Sequence, residues 1–86
     1  MNAREIVAWN IRRLRVVQAV SAETLAADAG IDRAYMSEME RGLANPTIDL
    51  LERLAAVLGV DLGEFFVRPA PNEQPPKPLK PGRRKR

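Results

Sequence analysis

Covalent and acid–base chemistry have little to work with in this chain. None of its 86 residues is a cysteine or a histidine. That removes the thiolate nucleophile, the usual general base at neutral pH, and the two side chains that most often hold a transition metal. The 11 carboxylates are spread over segment starts and outer faces rather than paired, and no glycine-rich phosphate cradle is present. Neither enzymatic activity, nor a metal, nor a cofactor is expected. What remains is the non-covalent chemistry of arginine, carboxylate, hydroxyl and a single tryptophan, which is recognition chemistry.

Three groups could carry such recognition. Residues 32–41 interleave Asp32, Glu38 and Glu40 with Arg33 and Arg41. Trp9, Arg12, Arg13 and Val16 share one face of a helical segment, with Val20 just beyond it. A basic cluster, Gly82-Arg83-Arg84-Lys85-Arg86, lies near the last residue. The net charge of +3 is unevenly divided: residues 1–68 hold eight basic and ten acidic side chains, a net of −2, and residues 69–86 hold six and one, a net of +5. The high isoelectric point therefore belongs to the tail. Met1-Asn2-Ala3-Arg4-Glu5 lacks the apolar stretch of a secretion signal, and no run approaches membrane-spanning length. A cytoplasmic protein without membrane contact is expected.

These groups must be held by helices. At about 100° per residue, Ala3, Val7, Ile11, Leu14 and Gln18 form one stripe of a first helix over about 3–18, flanked by Ile6, Asn10 and Val17. Trp9, Arg12, Arg13 and Val16 face away from that stripe and form a candidate protein-interaction patch with Val20, since Trp and Arg dominate interface hot spots. Ser21 caps a second helix with Leu25, Ala26 and Ala29 inward and Gly30 as its left-handed stop. Ile31 plugs the turn, and Asp32 caps a third helix that buries Met36 and Met39. Two helices joined by a tight glycine turn form a helix-turn-helix.

Thr47 caps a fourth helix on which Ile48, Leu51, Leu54, Ala55 and Leu58 recur, with Gly59 as its stop. Asp61 and Glu64 resemble a capping box opening a fifth, which would bury Leu62, Phe65 and Phe66. Together with Val67 these side chains would form a dimer seam or close the core. The fold class is thus all-α, a five-helix bundle over residues 1–68. Residues 69–86, broken by six prolines, are expected to be a disordered, Pro-rich basic tail with polyproline character.

Particular strings make the match closer. Leu25-Ala26, Gly30-Ile31, Tyr35-Met36-Ser37, Glu40-Arg41-Gly42, Asn45-Pro46-Thr47 and Leu54-Ala55-Ala56-Val57-Leu58-Gly59-Val60 resemble the lambda-repressor/Cro-type (XRE) helix-turn-helix family, and Ile11-Arg12-Arg13-Leu14-Arg15 looks like the end of that family's first helix. The resemblance implies a lambda-repressor-like bundle that binds double-stranded DNA as a homodimer, with the third helix in the major groove. Half-sites of a palindromic operator would then lie about one helical turn, roughly 34 Å, apart. Mapped onto this chain, Arg33, Ala34, Ser37 and Glu38 meet base edges. Ser21, Tyr35, Arg41, Asn45 and Thr47 take phosphate positions, and Arg15 pairs with Glu40 to lock the reading helix to the scaffold.

Two functions from different classes follow. The first is a sequence-specific transcriptional regulator, a small repressor or controller protein. The alternative is a helix-turn-helix domain that masks a protein partner, as an antiactivator or antitoxin would, through Trp9, Arg13 and Val16. That alternative rests on the acidic residues of 32–41, on the Trp9 patch, and on Ala22 where the family commonly carries a polar residue. A transcription activator would be such a partner.

Overall fold

Each helix begins where a short polar side chain can take up its free N–H groups. In the computed structural model, which describes residues 1–79, Asn2 caps α1 (Ala3–Val17), Ser21 caps α2 (Ala22–Ala29), Asp32 caps α3 (Arg33–Glu40) and Thr47 caps α4 (Ile48–Leu58). The α1 cap is a closed capping box: Asn2 Oδ1 accepts from the Glu5 amide at 2.9 Å, and Glu5 Oε1 accepts from the Asn2 amide at 3.0 Å. Gly30 and Gly59 end α2 and α4 in the left-handed region, both at φ 68°. Ala19 takes the same conformation after α1, at φ 59°. Gln18 Nε2 then reaches across to donate to the Leu58 carbonyl at 2.7 Å, satisfying an end of α4.

The core is aliphatic with one ring in it. Val7, Ile11 and Leu14 of α1 meet Leu25, Ala26 and Ala29 of α2, Met36 and Met39 of α3, and Leu51, Leu54, Ala55 and Leu58 of α4, while Phe65 is fully buried among them. α1 packs on α3 and on the last element, and α2 packs on α3 and α4. Among the described residues no helix is long and apolar enough to cross a membrane.

The last element departs from expectation. Leu62–Phe66 is a 3-10 helix, so the bundle has four α-helices and one tighter turn rather than five α-helices. The Glu64 amide bonds the Asp61 carbonyl three residues back, and Asp61 Oδ2 accepts from Gly63 rather than from Glu64. Glu64 turns its carboxylate to Arg13 instead of back to the cap, so no capping box closes. Three residues per turn also change which side chains face inward. Leu62 and Phe65 share a face, whereas Phe66 is turned out and 52% exposed.

Four other residues expected on core-facing stripes or their flanks lie outside, Ala3 and Gln18 at the two ends of the α1 stripe together with Val17 and Ile48. Ile48 occupies the first position of α4, beyond the reach of packing partners, and is 71% exposed; Val17, at the last turn of α1, is 77% exposed. The expectation for residues 80–86 lies outside the described residues. Residues 69–79 contain no helix or strand but do make defined contacts. The Glu73 amide closes a turn onto the Ala70 carbonyl at 3.0 Å, and Glu73 Oε1 accepts from the Ala70 amide at 3.1 Å.

Candidate nucleic-acid interface

The turn between α2 and α3 sets the direction of the outward helix. The Ile31 amide donates to the Ala26 carbonyl at 2.8 Å, closing a Schellman-type turn around Gly30. Ile31 packs against the core as the chain leaves the turn. Asp32 Oδ2 then accepts from the amides of Ala34 and Tyr35 at 3.0 and 3.2 Å. With Met36 and Met39 buried, Arg33, Ala34, Ser37 and Glu38 form a continuous exposed strip on the opposite side. Arg33 rests on Glu23 at 3.2 Å, but both side chains are largely in solvent. Such a pair contributes about 0.2–1 kcal/mol and is easily exchanged for a stronger anion.

The acidic character read from residues 32–41 shrinks once the side chains are placed. Asp32 is occupied as a cap. Glu40 points inward, its side chain only 7% exposed, and takes Arg15 bidentately at 2.6 and 2.8 Å. Arg12 adds a second cation at 3.6 Å. Among the described residues only Glu38 stands on the outer strip as a carboxylate without an ion pair. Arg15 also donates to the Val20 carbonyl at 3.0 Å, so one guanidinium ties α1, the connector and α3 together.

A concavity of about 370 Å³ opens between α1, α2 and α3, and Arg12, Ala22, Arg33, Ser37 and Arg41 stand on its wall. It joins two base-contact candidates and one phosphate candidate to Arg12, which the linear pattern had grouped with Trp9. Nothing in the sequence alone could have moved Arg12 to this face, because its neighbours there come from two other helices. Ser21 is half-buried, and its hydroxyl accepts from the Thr24 amide at 3.0 Å. Thr47 caps α4 by accepting from Leu50 at 3.0 Å. Asn45 is exposed on the following loop, Arg41 is exposed at the end of α3, and Tyr35 is half-buried against the core.

The other candidate face differs from its sequence description. Trp9, Arg12, Arg13, Val16 and Val20 are all half-buried rather than free. Val20 packs against the core. Arg13 donates to Asn10 Oδ1 and Glu64 Oε1, each at 3.0 Å, and to the Glu64 carbonyl at 3.3 Å. Trp9 shares one cleft with Arg68, Pro69 and Pro71 and another with Pro75 and Pro76. The chain's own tail therefore borders this patch.

One residue read from the sequence only as a flank of the α1 stripe turns out to be a positioning residue. Asn10 is buried, and its amide nitrogen donates to the carbonyls of Ile6 at 3.0 Å, Phe65 at 3.0 Å and Val67 at 2.8 Å. An asparagine at a core-flanking helix position is a visible oddity, but its partners lie 55 and 57 residues away.

A helix-turn-helix family model matches residues 11–65. A hypothetical transcription factor of Neisseria meningitidis is 38% identical over 66 residues, which span 77% of this chain and 62% of that protein. The crystal structure of a hypothetical transcription factor from Neisseria superposes with a TM-score of 0.76 at 37% identity, covering 79% of this chain and 78% of that one. A restriction-modification controller protein, solved as a tetramer with its natural 35 base-pair operator, superposes with a TM-score of 0.69 at 32% identity, covering 77% of this chain and 87% of that one.

Proposed function

The chain belongs to the helix-turn-helix family, and from that premise we propose that it is a sequence-specific DNA-binding transcription regulator that lays α3 in the major groove. The observation that carries this reading is the exposed strip of Arg33, Ala34, Ser37 and Glu38 on a helix clamped from behind by Arg15 and Glu40. Arginine can fork onto guanine, glutamate can accept from cytosine and an alanine methyl can touch thymine. Arg41 and Arg12, flanking the strip, supply cations for the phosphate backbone, and Asn45 adds a hydrogen-bonding group on the adjoining loop. A controller protein of the same fold is seen on its operator, which supports the same use of the fold here.

Operator reading by such a domain calls for a pair of copies. Phe66 and Val67 are adjacent and exposed, at 52% and 49%, beside the buried Phe65. They are the apolar surface we assign to a two-fold seam, since each would be used twice in an isologous contact. Phe66→Ser removes roughly 1.5 kcal/mol of apolar burial per copy, so the dimer dissociation constant should rise by about 100-fold. Sedimentation equilibrium reads this directly, and an unchanged constant would move the seam elsewhere.

The proposal as a whole is tested by footprinting the full chain on the DNA upstream of its own gene at low salt. A protected pair of half-sites about one helical turn apart is expected. The protein-masking alternative rests on Ala22, on Glu38 and on a Trp9 patch that is half-buried beside the tail, and it is the second reading. Folded protein that protects no duplex would favour it.

A further inference from the structure

Among the described residues two polar or charged residues are buried, Asn10 and Arg15, and both belong to α1. Apolar packing fixes how closely two elements lie, whereas hydrogen bonds also fix the angle between them. Arg15, with Arg12 at 3.6 Å, grips Glu40 on α3. Asn10 and Arg13 grip the closing 3-10 helix, Leu62–Phe66. Each pair is three residues apart, and the two pairs are offset by two residues, about 200° around the helix axis. One helix holds the reading helix on one side and the seam-bearing turn on another.

The second grip is made almost wholly on backbone. The Asn10 side-chain amide has two N–H groups and directs them to three carbonyls, those of Ile6 at 3.0 Å, Phe65 at 3.0 Å and Val67 at 2.8 Å, so one is shared. Its oxygen accepts from Arg13 Nε at 3.0 Å. That bond fixes which way the amide is turned, because a guanidinium can only donate. Arg13 Nη2 reaches the Glu64 carboxylate at 3.0 Å and the Glu64 carbonyl at 3.3 Å. Side chains of α1 therefore hold three of the four carbonyls from Glu64 to Val67, groups that a 3-10 helix of five residues leaves without partners at its end. Phe66, with its exposed ring, lies between the two residues whose carbonyls Asn10 holds.

We propose that Asn10 and Arg13 are positioning residues that set which half-site spacing the dimer accepts. They act through Phe66 and Val67, by fixing the angle of the seam to α1 and hence to α3. The inference rests on the DNA-binding reading and on the Phe66–Val67 seam proposed above. In an isologous dimer a tilt between seam and reading helix occurs in both copies, so the separation of the two reading helices feels it twice. A domain whose last turn can swivel on α1 still folds and still reads bases, but it engages duplexes of several spacings.

The test compares the footprinted duplex with two others whose spacer is longer or shorter by one base pair, using the full chain and its Arg13→Ala and Asn10→Ala variants. One base pair moves the half-sites by about 3.4 Å along the axis and about 35° around it. The parent should bind the shifted duplexes on the order of 100-fold more weakly, because both halves can no longer be engaged together, and Arg13→Ala should narrow that penalty to about 10-fold. Asn10→Ala should narrow it at least as far. Asn10 is buried and its variant can fail to fold, but the Arg13 side chain is 29% exposed, so Arg13→Ala leaves the core intact and carries the test alone. A purely stabilising role would lower the folded or dimeric fraction and weaken binding to all three duplexes alike. A spacing penalty in Arg13→Ala equal to the parent's therefore overturns the proposal, as does a parent that shows no penalty. Phe66→Ser, measured beside them, tells the failures apart. If it leaves the dimer constant unchanged, the seam falls and the proposal with it; if it loosens the dimer while Arg13→Ala keeps the parent's penalty, the proposal alone falls. A full chain that protects no duplex sinks the DNA-binding reading itself.

Discussion

Glu40→Ala is expected to lower the free energy of unfolding by about 3–5 kcal/mol, because it leaves a buried guanidinium without its counter-charge. Arg15 is 11% exposed on its side chain and meets Glu40 at 2.6 and 2.8 Å. The remaining bond to the Val20 carbonyl satisfies one N–H group but does not neutralise the charge. For a domain of this size the loss is comparable with much of the total stability. Urea titration followed by circular dichroism measures it. The double variant Arg15→Met with Glu40→Leu is expected to recover most of the loss, since an apolar pair of similar volume avoids the desolvation cost altogether. A Glu40→Ala variant within 1 kcal/mol of the parent would show that the pair is not what fixes α3 to α1.

Arg33→Ala should weaken binding to the cognate operator by about 10²–10⁴-fold in a dimer, since a bidentate arginine–guanine contact contributes about 1–3 kcal/mol and is made twice. Glu38→Ala separates reading from mere attraction. Removing that carboxylate lessens repulsion from phosphate, so non-specific binding should tighten while the ratio of operator to random-sequence affinity falls. A competition assay against random duplex reads both quantities. Equal losses on operator and random DNA from Arg33→Ala would assign this side chain to phosphate rather than to a base.

The parts of this fold legible in the sequence are those fixed by neighbours within a turn. Ser21, Asp32 and Thr47 each cap the helix that follows, and Gly30 and Gly59 each stop the one before. Met36 and Met39 are buried because three residues return a side chain to the same helix face. The same local rule failed for Phe66. A 3.6-residue period carries positions 62, 65 and 66 inward together, whereas the 3-10 period seen here keeps 62 and 65 and turns 66 to solvent. Ile48 failed for a different reason, since a periodic stripe says nothing about whether the neighbouring helix extends far enough to cover its first residue.

The candidate site was legible in outline and not in its support. The outward strip of α3 followed once Met36 and Met39 were taken as core. The place of Arg12 on that face, the four bonds of Asn10 and the tail bordering Trp9 all depend on segments distant in the chain. No pattern within one helix encodes them. Residues 32–41 misled most, because counting charges cannot distinguish Asp32 spent on a cap and Glu40 spent on Arg15 from a carboxylate that faces a partner.

A chemical-shift titration of the folded chain with its footprinted duplex addresses the reading helix most directly. The amides of Arg33, Ala34, Ser37 and Glu38 are expected to move most, with Arg41 and Asn45 following, while the solvent face of α4 around Glu52 and Ala56 stays still. Saturation with no movement along α3, or movement confined to Trp9 and Val16, would contradict it.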